Sequence, residues 1–189
     1  MSKIAVGITG SFCNHFKVLE ILRKFIEKGY KIVPICSECV YENDTRFFKA
    51  DDFKNEVETI CNHKILHTIV EAERISNLYH CEGMIILPCT ANSMNKLANG
   101  IYDSAVVLAA KSLLRNDYSI VLALASNDGL SNSLENIGRL IKQKNIYFVP
   151  FGQDDYIKKP SSLVCDFDKS IETFEKAMRK EQIQPILLR

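Results

Sequence analysis

Short apolar runs alternate with amphipathic segments along this chain of 189 residues, and the alternation restricts the fold more than any other feature. Near-continuous apolar runs of about four to eight residues are typical of strands that are buried on both faces of a parallel sheet. The runs that we interpret as strands are residues 3–9, 31–36, 65–66, 83–87, 119–125 and 146–149. Because crossovers between parallel strands are right-handed, the pattern predicts an α/β fold, with a doubly wound parallel sheet in a Rossmann-like, three-layer arrangement.

Apolar residues at helical spacing occupy the intervals between these strands. The predicted helices are residues 16–26, 45–60, 69–79, 134–142 and 168–180, and residues 92–115 hold one long helix or two that break near Asn99 and Gly100. Pro34 lies inside the second strand, and because proline has no N–H to donate, that strand is expected to be irregular or at an edge. Residues 150–164 are predicted to form a polar arm. We therefore expect one domain over residues 1–189, with this arm and a C-terminal helix.

The composition excludes several classes of protein. A hydrophobic fraction of 47% and a charged fraction of 25% are those of a globular chain rather than a disordered one. The formal net charge of +1 gives no general attraction to nucleic acid or to acidic membranes. No apolar run approaches the roughly 18 residues of a membrane span. The first residues enter a strand directly, so we expect no signal peptide and a cytoplasmic protein whose seven cysteines are reduced.

The cysteine pattern raises the question of a metal or redox site. Cys36 and Cys39 are separated by two residues, and Cys61 and His63 follow, but this spacing is loose for zinc. Cys36 closes a strand, whereas a redox pair normally opens a helix. We predict no disulfide, no stoichiometric zinc and no other metal site. For Cys89, at a strand end, a small pocket-lining residue is favoured over a reactive thiol.

Polar and small residues follow four of the predicted strands, at residues 9–11, 37–38, 88–93 and 126–129. In open parallel sheets, ligands bind beyond the carboxyl ends of the strands, near the switch in strand order. Gly10 and Ser11 join a strand to a helix, where backbone N–H groups suit a phosphate, although a plain turn with Ser11 as N-cap is the alternative. Neither GxGxxG nor GxxxxGK[ST] occurs, which argues against a typical dinucleotide-binding domain and a P-loop NTPase and leaves a mononucleotide open.

Residues 88–103 (PCTANSMNKLANGIYD) resemble the P-x-[ST]-[AG]-N-[ST]-x-x-K-x-A-x-G-x-x-D signature of the flavoprotein superfamily of homo-oligomeric flavin-containing cysteine decarboxylases. Residues 9–11 resemble the first phosphate-binding turn of that family, and residues 125–127 lie where it has A-M-N. A closer resemblance, carried by residues 115–116, 126–130, 144–155, 158–164 and 184–187, is to the B subunits of a two-subunit oxidoreductase of spore-forming bacteria. It covers essentially the whole chain.

The resemblance implies a flavoprotein fold and an FMN site. The residues implied to bind the cofactor are Gly10, Ser11, Phe12, Ser37, Thr90, Ala91, Asn92, Ser93, Ser126 and Asn127. Asn92 and Lys96 are the candidates for catalytic roles: an amide can donate and accept at a ring edge, and a lysine can bind a substrate carboxylate. Arg115, Lys158 and Lys159 are further candidates for carboxylate binding.

The resemblance also implies a reaction and partners. The expected reaction oxidises a dihydropyridine dicarboxylate to pyridine-2,6-dicarboxylate with NAD(P)+ during sporulation, in the mother cell. Because this chain lacks GxGxxG, NAD(P) is expected on the partner, the A subunit of the same oxidoreductase. We further expect a homo-oligomer in which the arm, residues 150–164, reaches over a neighbouring copy, with Phe151 and Tyr156 as apolar anchors and Lys158 and Lys159 as charges.

One departure from the family pattern bears on the activity. The cysteine decarboxylases carry a histidine upstream of the motif proline, and the residue in register here is Arg74. This departure argues against decarboxylation. The alternatives that stay open are a stand-alone FMN-dependent decarboxylase or flavin prenyltransferase and, in a different class, a non-catalytic assembly subunit.

Overall fold

The structure, a computed structural model, describes residues 2–188, and within them lie seven strands and eight α-helices. The strands are β1 (Lys3–Ile8), β2 (Lys31–Cys36), β3 (Gly83–Cys89), β4 (Ser119–Ser126), β5 (Ile146–Phe148), β6 (Phe151–Gly152) and β7 (Leu163–Cys165). The helices are α1 (His15–Glu27), α2 (Glu38–Glu42), α3 (Ala50–Cys61), α4 (Ile69–Glu73), α5 (Ala91–Ala98), α6 (Ala105–Arg115), α7 (Leu134–Leu140) and α8 (Ser170–Ala177). Two 3-10 turns precede α1 and α8, at Phe12–Asn14 and Phe167–Lys169.

The predicted doubly wound α/β fold is confirmed. The parallel strands are ordered β2-β1-β3-β4-β5, so the strand order reverses between β1 and β3. β2 pairs with β1 on one side and makes only a single bridge, Ile35 to Leu66, on the other. Pro34 therefore lies in an edge strand, as its missing N–H predicts.

Helices cover both faces of the sheet. α1 and α8 pack together on one face, and α6 lies on the other with α4 and α5 beside it. Most of the apolar residues of α1 are buried, with Leu22 and Phe25 inaccessible to solvent. α6 approaches the sheet closely at Gly7, where a Cβ atom would lie 2.7 Å from Met84 Cε and 2.9 Å from Val106 Cγ1. The first strand consequently needs a glycine at this position.

The sheet is not wholly parallel, which corrects the prediction for the arm. β7 runs antiparallel to the last two residues of β4, and β6 pairs with β7. β5 pairs only with the amino half of β4, so the carboxyl half is left open for β7. The residues between β6 and β7, 153–162, are the loop that remains of the arm. Phe151, predicted to be an anchor for another copy of the chain, is only 3% exposed and belongs to this chain's own core.

Two helix predictions need correction, and one is confirmed. α3 begins at Ala50 rather than at residue 45, because Thr45 Oγ1 accepts hydrogen bonds from the N–H groups of Phe47 and Phe48 and so forms a local turn that competes with helix. α4 ends at Glu73, and hydrogen-bonded turns continue to residue 79. Residues 92–115 do form two helices, α5 and α6, as one alternative proposed.

Candidate functional site

A cavity of about 620 Å³ opens at the carboxyl edge of the sheet, next to the reversal in strand order between β1 and β3. Its volume lies within the range of about 300–1,000 Å³ that is usual for ligand pockets. The segments that line it follow β1, β3 and β4 and include the loop between β6 and β7. The lining residues are Gly10, Ser11, Phe12, Cys13, Asn14, Lys17, Arg46, Phe47, Thr90, Ala91, Asn92, Ala125, Ser126, Asn127, Asp128, Asp154, Lys159, Ser162 and Val164.

Most of the residues predicted to bind a cofactor lie together around this cavity. Those that line it are Gly10, Ser11, Phe12, Thr90, Ala91, Asn92, Ser126 and Asn127. The structure places the other three predicted site residues outside the lining. Ser37 occupies the N-cap position of α2 without a capping hydrogen bond from its side chain, Ser93 is buried within α5, and Lys96 Nζ pairs with Asp103 Oδ1 at 2.8 Å.

Thr9 joins the two loops that approach the cavity from β1 and β3. Its buried hydroxyl donates to Pro88 O at 2.8 Å and accepts from Thr90 N at 3.0 Å. His15 Nε2 lies 3.1 Å from Thr9 O, and because a carbonyl only accepts, Nε2 carries the proton. Burial lowers the pKa of His15, so its ring is neutral at pH 7. The loop after β3 is therefore held in a set position relative to the loop after β1.

The turn after β1 offers donors for an anion. Asn14 Nδ2 donates to Ser11 Oγ at 2.8 Å, which orients the hydroxyl beside the first 3-10 turn. The first N–H groups of a helical segment have no partner within it, so those of Phe12 and Cys13 are available to a ligand. A Cβ atom on Gly10 would lie 3.0 Å from Cys39 Sγ, so the turn packs closely against α2.

The loop after β4 carries a carboxylate, Asp128, that accepts hydrogen bonds from two serine hydroxyls of this chain. Asp128 Oδ1 accepts from Ser126 Oγ at 2.6 Å and from Ser133 Oγ at 3.2 Å. Asn95 on α5 donates to the same Ser133 hydroxyl and accepts from Asn136 on α7. These bonds connect α5, α7 and the β4 loop, and they fix the side of the cavity that Ser126 and Asn127 line.

The loop between β6 and β7 lines the cavity of its own chain, which the sequence did not indicate. Asp154, Lys159 and Ser162 line the cavity, and Lys159 Nζ lies 3.3 Å from Asp154 Oδ2. Hydrogen bonds from Ser162 and Lys159 lower the pKa of Asp154, so its carboxylate is charged at neutral pH. The predicted contact of this loop with a neighbouring copy stays a prediction.

Sequence reasoning missed two cations and a ring at the mouth of the cavity: Lys17, Arg46 and Phe47. Lys17 lies on α1, shortly after the turn at residues 10–14, and a search for cations just after that turn could have found it. Arg46 and Phe47 come from the connector between α2 and α3, whose position depends on tertiary packing. Arg115, a candidate from the sequence, ends α6 just before β4 begins, at the opposite edge of the sheet.

Burial makes Cys36 and Cys89 poor nucleophiles. Cys89 is buried in β3, and burial raises the pKa of its thiol to about 12. Burial likewise raises the pKa of Cys36 above its ordinary range. The seven cysteines are free thiols in the structure, and among residues 2–188 no group of His, Cys, Asp or Glu side chains has the arrangement of a metal site. None of the helices within these residues has the length and apolar character needed to cross a membrane.

The donor set fits a flat ring that carries a phosphate. Hydroxyl and backbone donors at residues 10–14, with Lys17 nearby, suit a dianion. Thr90, Ala91 and Ala125 are small, so a planar ring can approach the backbone, and the Asn92 amide is exposed toward it. The residues present therefore match the cofactor that the sequence resemblance implies.

Comparisons with known proteins agree with this assignment. Residues 1–180 match the family model described as Flavoprotein. The dipicolinate synthase B subunit of Bacillus subtilis is 38% identical over 98% of this chain and 93% of its own length. The crystal structure of the dipicolinate synthase B subunit from Bacillus halodurans superposes with a TM-score of 0.91, at 37% identity over 100% of this chain and 96% of that one.

A more distant structure shares only the fold. The FMN-dependent cysteine decarboxylase SpaF superposes with a TM-score of 0.68 at 16% identity, over 94% of this chain and 97% of its own. The family match and the near full-length relatives together establish that this chain belongs to the flavoprotein family and, within it, to the dipicolinate synthase B subunits.

Proposed function

We propose that this chain is the flavoprotein subunit of a dipicolinate synthase and that its carboxyl-edge cavity binds FMN. The observation that carries the proposal is the position of the cavity, at the reversal of strand order between β1 and β3, with the Gly10 turn and the Thr90–Asn92 loop both in its lining. The similarity to a dipicolinate synthase B subunit over 98% of the chain supports the same assignment. The enzyme would oxidise dihydrodipicolinate to dipicolinate, with NAD(P)+ as acceptor.

The residues of this chain would bind and orient the cofactor. The turn at residues 10–14 and Lys17 would hold the phosphate, and Thr90, Ala91 and Asn92 would contact the ring. A bound flavin supplies a carrier for two electrons. Aromatisation of the substrate releases a hydride and a proton, and the loop between β6 and β7 would exclude water from the cavity while this happens. NAD(P) would lie on the dipicolinate synthase A subunit, because no GxGxxG motif is present here.

Two measurements on the purified chain test the proposal. FMN should bind with one-to-one stoichiometry and lose fluorescence, and the A subunit together with this chain should form dipicolinate from dihydrodipicolinate when NAD+ or NADP+ is supplied. The isolated A subunit is the control. Absence of FMN binding would contradict the cofactor assignment. Full activity of the isolated A subunit would favour the alternative in which this chain has a non-catalytic role in assembly.

A stand-alone flavin enzyme is the second candidate. Its support is the shared fold with the decarboxylase SpaF, but an identity of 16% carries no information about the reaction. Arg74, which stands where the decarboxylases have histidine, is exposed at the end of α4 and does not line the cavity. Cysteine decarboxylation or flavin prenylation by the chain alone would favour this candidate.

The loop between β6 and β7 is also the basis of the proposed self-association. Tyr156 and Ile157 at its tip are 70% and 77% exposed, whereas Phe151 is buried. We infer that Tyr156 and Ile157 contact a second copy of this chain, since large apolar side chains at a loop tip are typical of interface anchors. Replacing both with serine should lower the mass measured by light scattering. An unchanged mass would contradict this contact.

A further inference from the structure

Two of the cations that line the cavity have no carboxylate within ion-pair distance among residues 2–188: Lys17 and Arg46. Lys159, the third, is already paired with Asp154. Lys17 lies about one helical turn after residues 10–14, which are proposed above to hold the cofactor phosphate, so this phosphate would be its partner. Arg46 comes from a different segment, the connector between α2 and α3 (residues 43–49). Its charge is therefore left for another anionic group.

Hydrogen bonds fix the conformation of the connector. Thr45 Oγ1 accepts from Phe47 N and from Phe48 N, each at 3.1 Å, and forms a side-chain turn. Asp44 Oδ1 accepts from Ala50 N at 2.8 Å and so satisfies the first turn of α3. The segment that carries Arg46 is thus ordered by its own side chains and does not require a ligand to order it.

Aromatic packing holds the connector against the body of the protein. The ring of Phe48 lies 4.4 Å from that of Phe16 and 5.3 Å from that of Phe53, measured between centroids. Phe47, which precedes Phe48 in the sequence, lines the cavity. The guanidinium carbon of Arg46 lies 4.8 Å from the centroid of the Phe47 ring. The mouth of the cavity therefore presents a planar cation and an aromatic ring side by side.

We propose, on the basis of the function proposed above, that Arg46 and Phe47 recognise the substrate as a planar nitrogen ring that carries carboxylates. The Arg46 guanidinium would bind one carboxylate through two parallel hydrogen bonds, a geometry that lysine cannot reproduce. The Phe47 ring would pack against the pyridine or dihydropyridine ring. Neither cavity carboxylate forms an ion pair with Arg46: Asp128 accepts from the hydroxyls of Ser126 and Ser133, and Asp154 pairs with Lys159.

Calorimetric titration of the FMN-loaded protein with pyridine-2,6-dicarboxylate, the stable product, tests this assignment. Arg46→Gln should lower the affinity for the dicarboxylate by about 10- to 100-fold, since it removes a charge-assisted contact. Arg46→Lys should restore only part of this loss. Phe47→Leu should lower the affinity for the dicarboxylate by about two- to tenfold. The matched control is Arg115→Gln, an exposed arginine at the opposite edge, which should change the affinity by less than about twofold.

The FMN dissociation constant of each variant separates recognition of the substrate from binding of the cofactor. Arg46→Gln should leave it within about twofold of the wild-type value, because Lys17 and the turn at residues 10–14 hold the phosphate. A loss of FMN affinity in Arg46→Gln would overturn the assignment and make Arg46 a phosphate ligand. Unchanged dicarboxylate affinity in this variant would also overturn it, as would a wild-type protein that binds no dicarboxylate. The proposed function is judged separately, by dipicolinate formation in the presence of the A subunit.

Discussion

The two edges of the sheet each carry a cavity, and only one of them has the properties of a binding site. The carboxyl-edge cavity is lined by loops that present hydroxyls, amides and backbone N–H groups, and the amino-edge cavity, of about 490 Å³, is lined mainly by Ile26, Ile32, Val33 and Ile60. Both have lysines at the rim. Size and charge therefore do not distinguish them.

The direction of the helices does distinguish them. In a doubly wound sheet the helices begin at the carboxyl edge and end at the amino edge, so partial positive charge gathers at the first and partial negative charge at the second. α1 and α3 both end beside the amino-edge cavity, at Glu27 and Cys61. Lys3 and Lys31, which line that cavity, therefore lie near the carbonyl ends of α1 and α3. We infer that a phosphate would be held at the carboxyl edge only.

The largest effect should come from Thr9, whose hydroxyl bridges the two loops at the carboxyl edge. Thr9→Val keeps the shape but leaves Pro88 O and Thr90 N without partners in a buried place, which should cost about 1–3 kcal/mol in the free energy of unfolding. Because the loops also lose their relative position, FMN affinity should fall at least about tenfold. Urea unfolding and fluorescence titration measure the two quantities.

Thr9→Ser is the matched control, because it retains the hydroxyl. It should recover most of the FMN affinity lost in Thr9→Val. If Thr9→Val binds FMN as the wild type does, the two loops do not depend on this bridge, and the proposed geometry of the site is wrong.

A smaller effect is expected at Asn92, which lines the cavity and is exposed. Asn92→Ala should lower the affinity for FMN by about two- to tenfold, as expected for the loss of a neutral hydrogen bond. It should leave the melting temperature of the protein unchanged. Asn55→Ala, which alters an asparagine of α3 outside this cavity, is the control. Equal FMN affinity in the two variants would remove Asn92 from the site.

Thiol labelling gives a test without mutation. Cys13 and Cys39 are exposed, and burial raises the pKa of Cys61, Cys81 and Cys89 to about 12, so alkylation at neutral pH should modify the first two. Cys13 lines the carboxyl-edge cavity. FMN should therefore slow its modification several-fold while leaving that of Cys39 unchanged, as measured by mass spectrometry of peptides. Protection of neither cysteine would argue against a flavin at this edge.

The sequence predicted the carboxyl edge well where a local motif marks a strand end. The Gly10-Ser11 turn and the Thr90–Asn92 loop lie at this edge as expected, because the alternation of apolar runs and helices predicts parallel strands, and parallel strands end at the same edge of a sheet. The pairing of β7 with β4 was not predictable, since this short strand can pair there only because β5 stops halfway along β4. Lys96 lies outside the cavity lining and pairs with Asp103, a partner across a break between helices that the motif did not indicate, and its catalytic role stays a prediction.

The smallest effects, and the most direct comparison of the two edges, come from a pair of exposed lysines. Lys17→Gln should lower the affinity for FMN by about two- to fivefold at low ionic strength, as expected for the loss of an exposed ion pair. Added salt should reduce this difference between the variant and the wild type. Lys31→Gln removes the same charge at the amino edge and should leave the FMN dissociation constant unchanged at every salt concentration. Because both variants lose one positive charge, a general attraction of the protein for anions would weaken FMN equally in the two. An equal loss of FMN affinity in the two variants would mean that the net charge of the protein, and not the donors at residues 10–14, is responsible for phosphate binding.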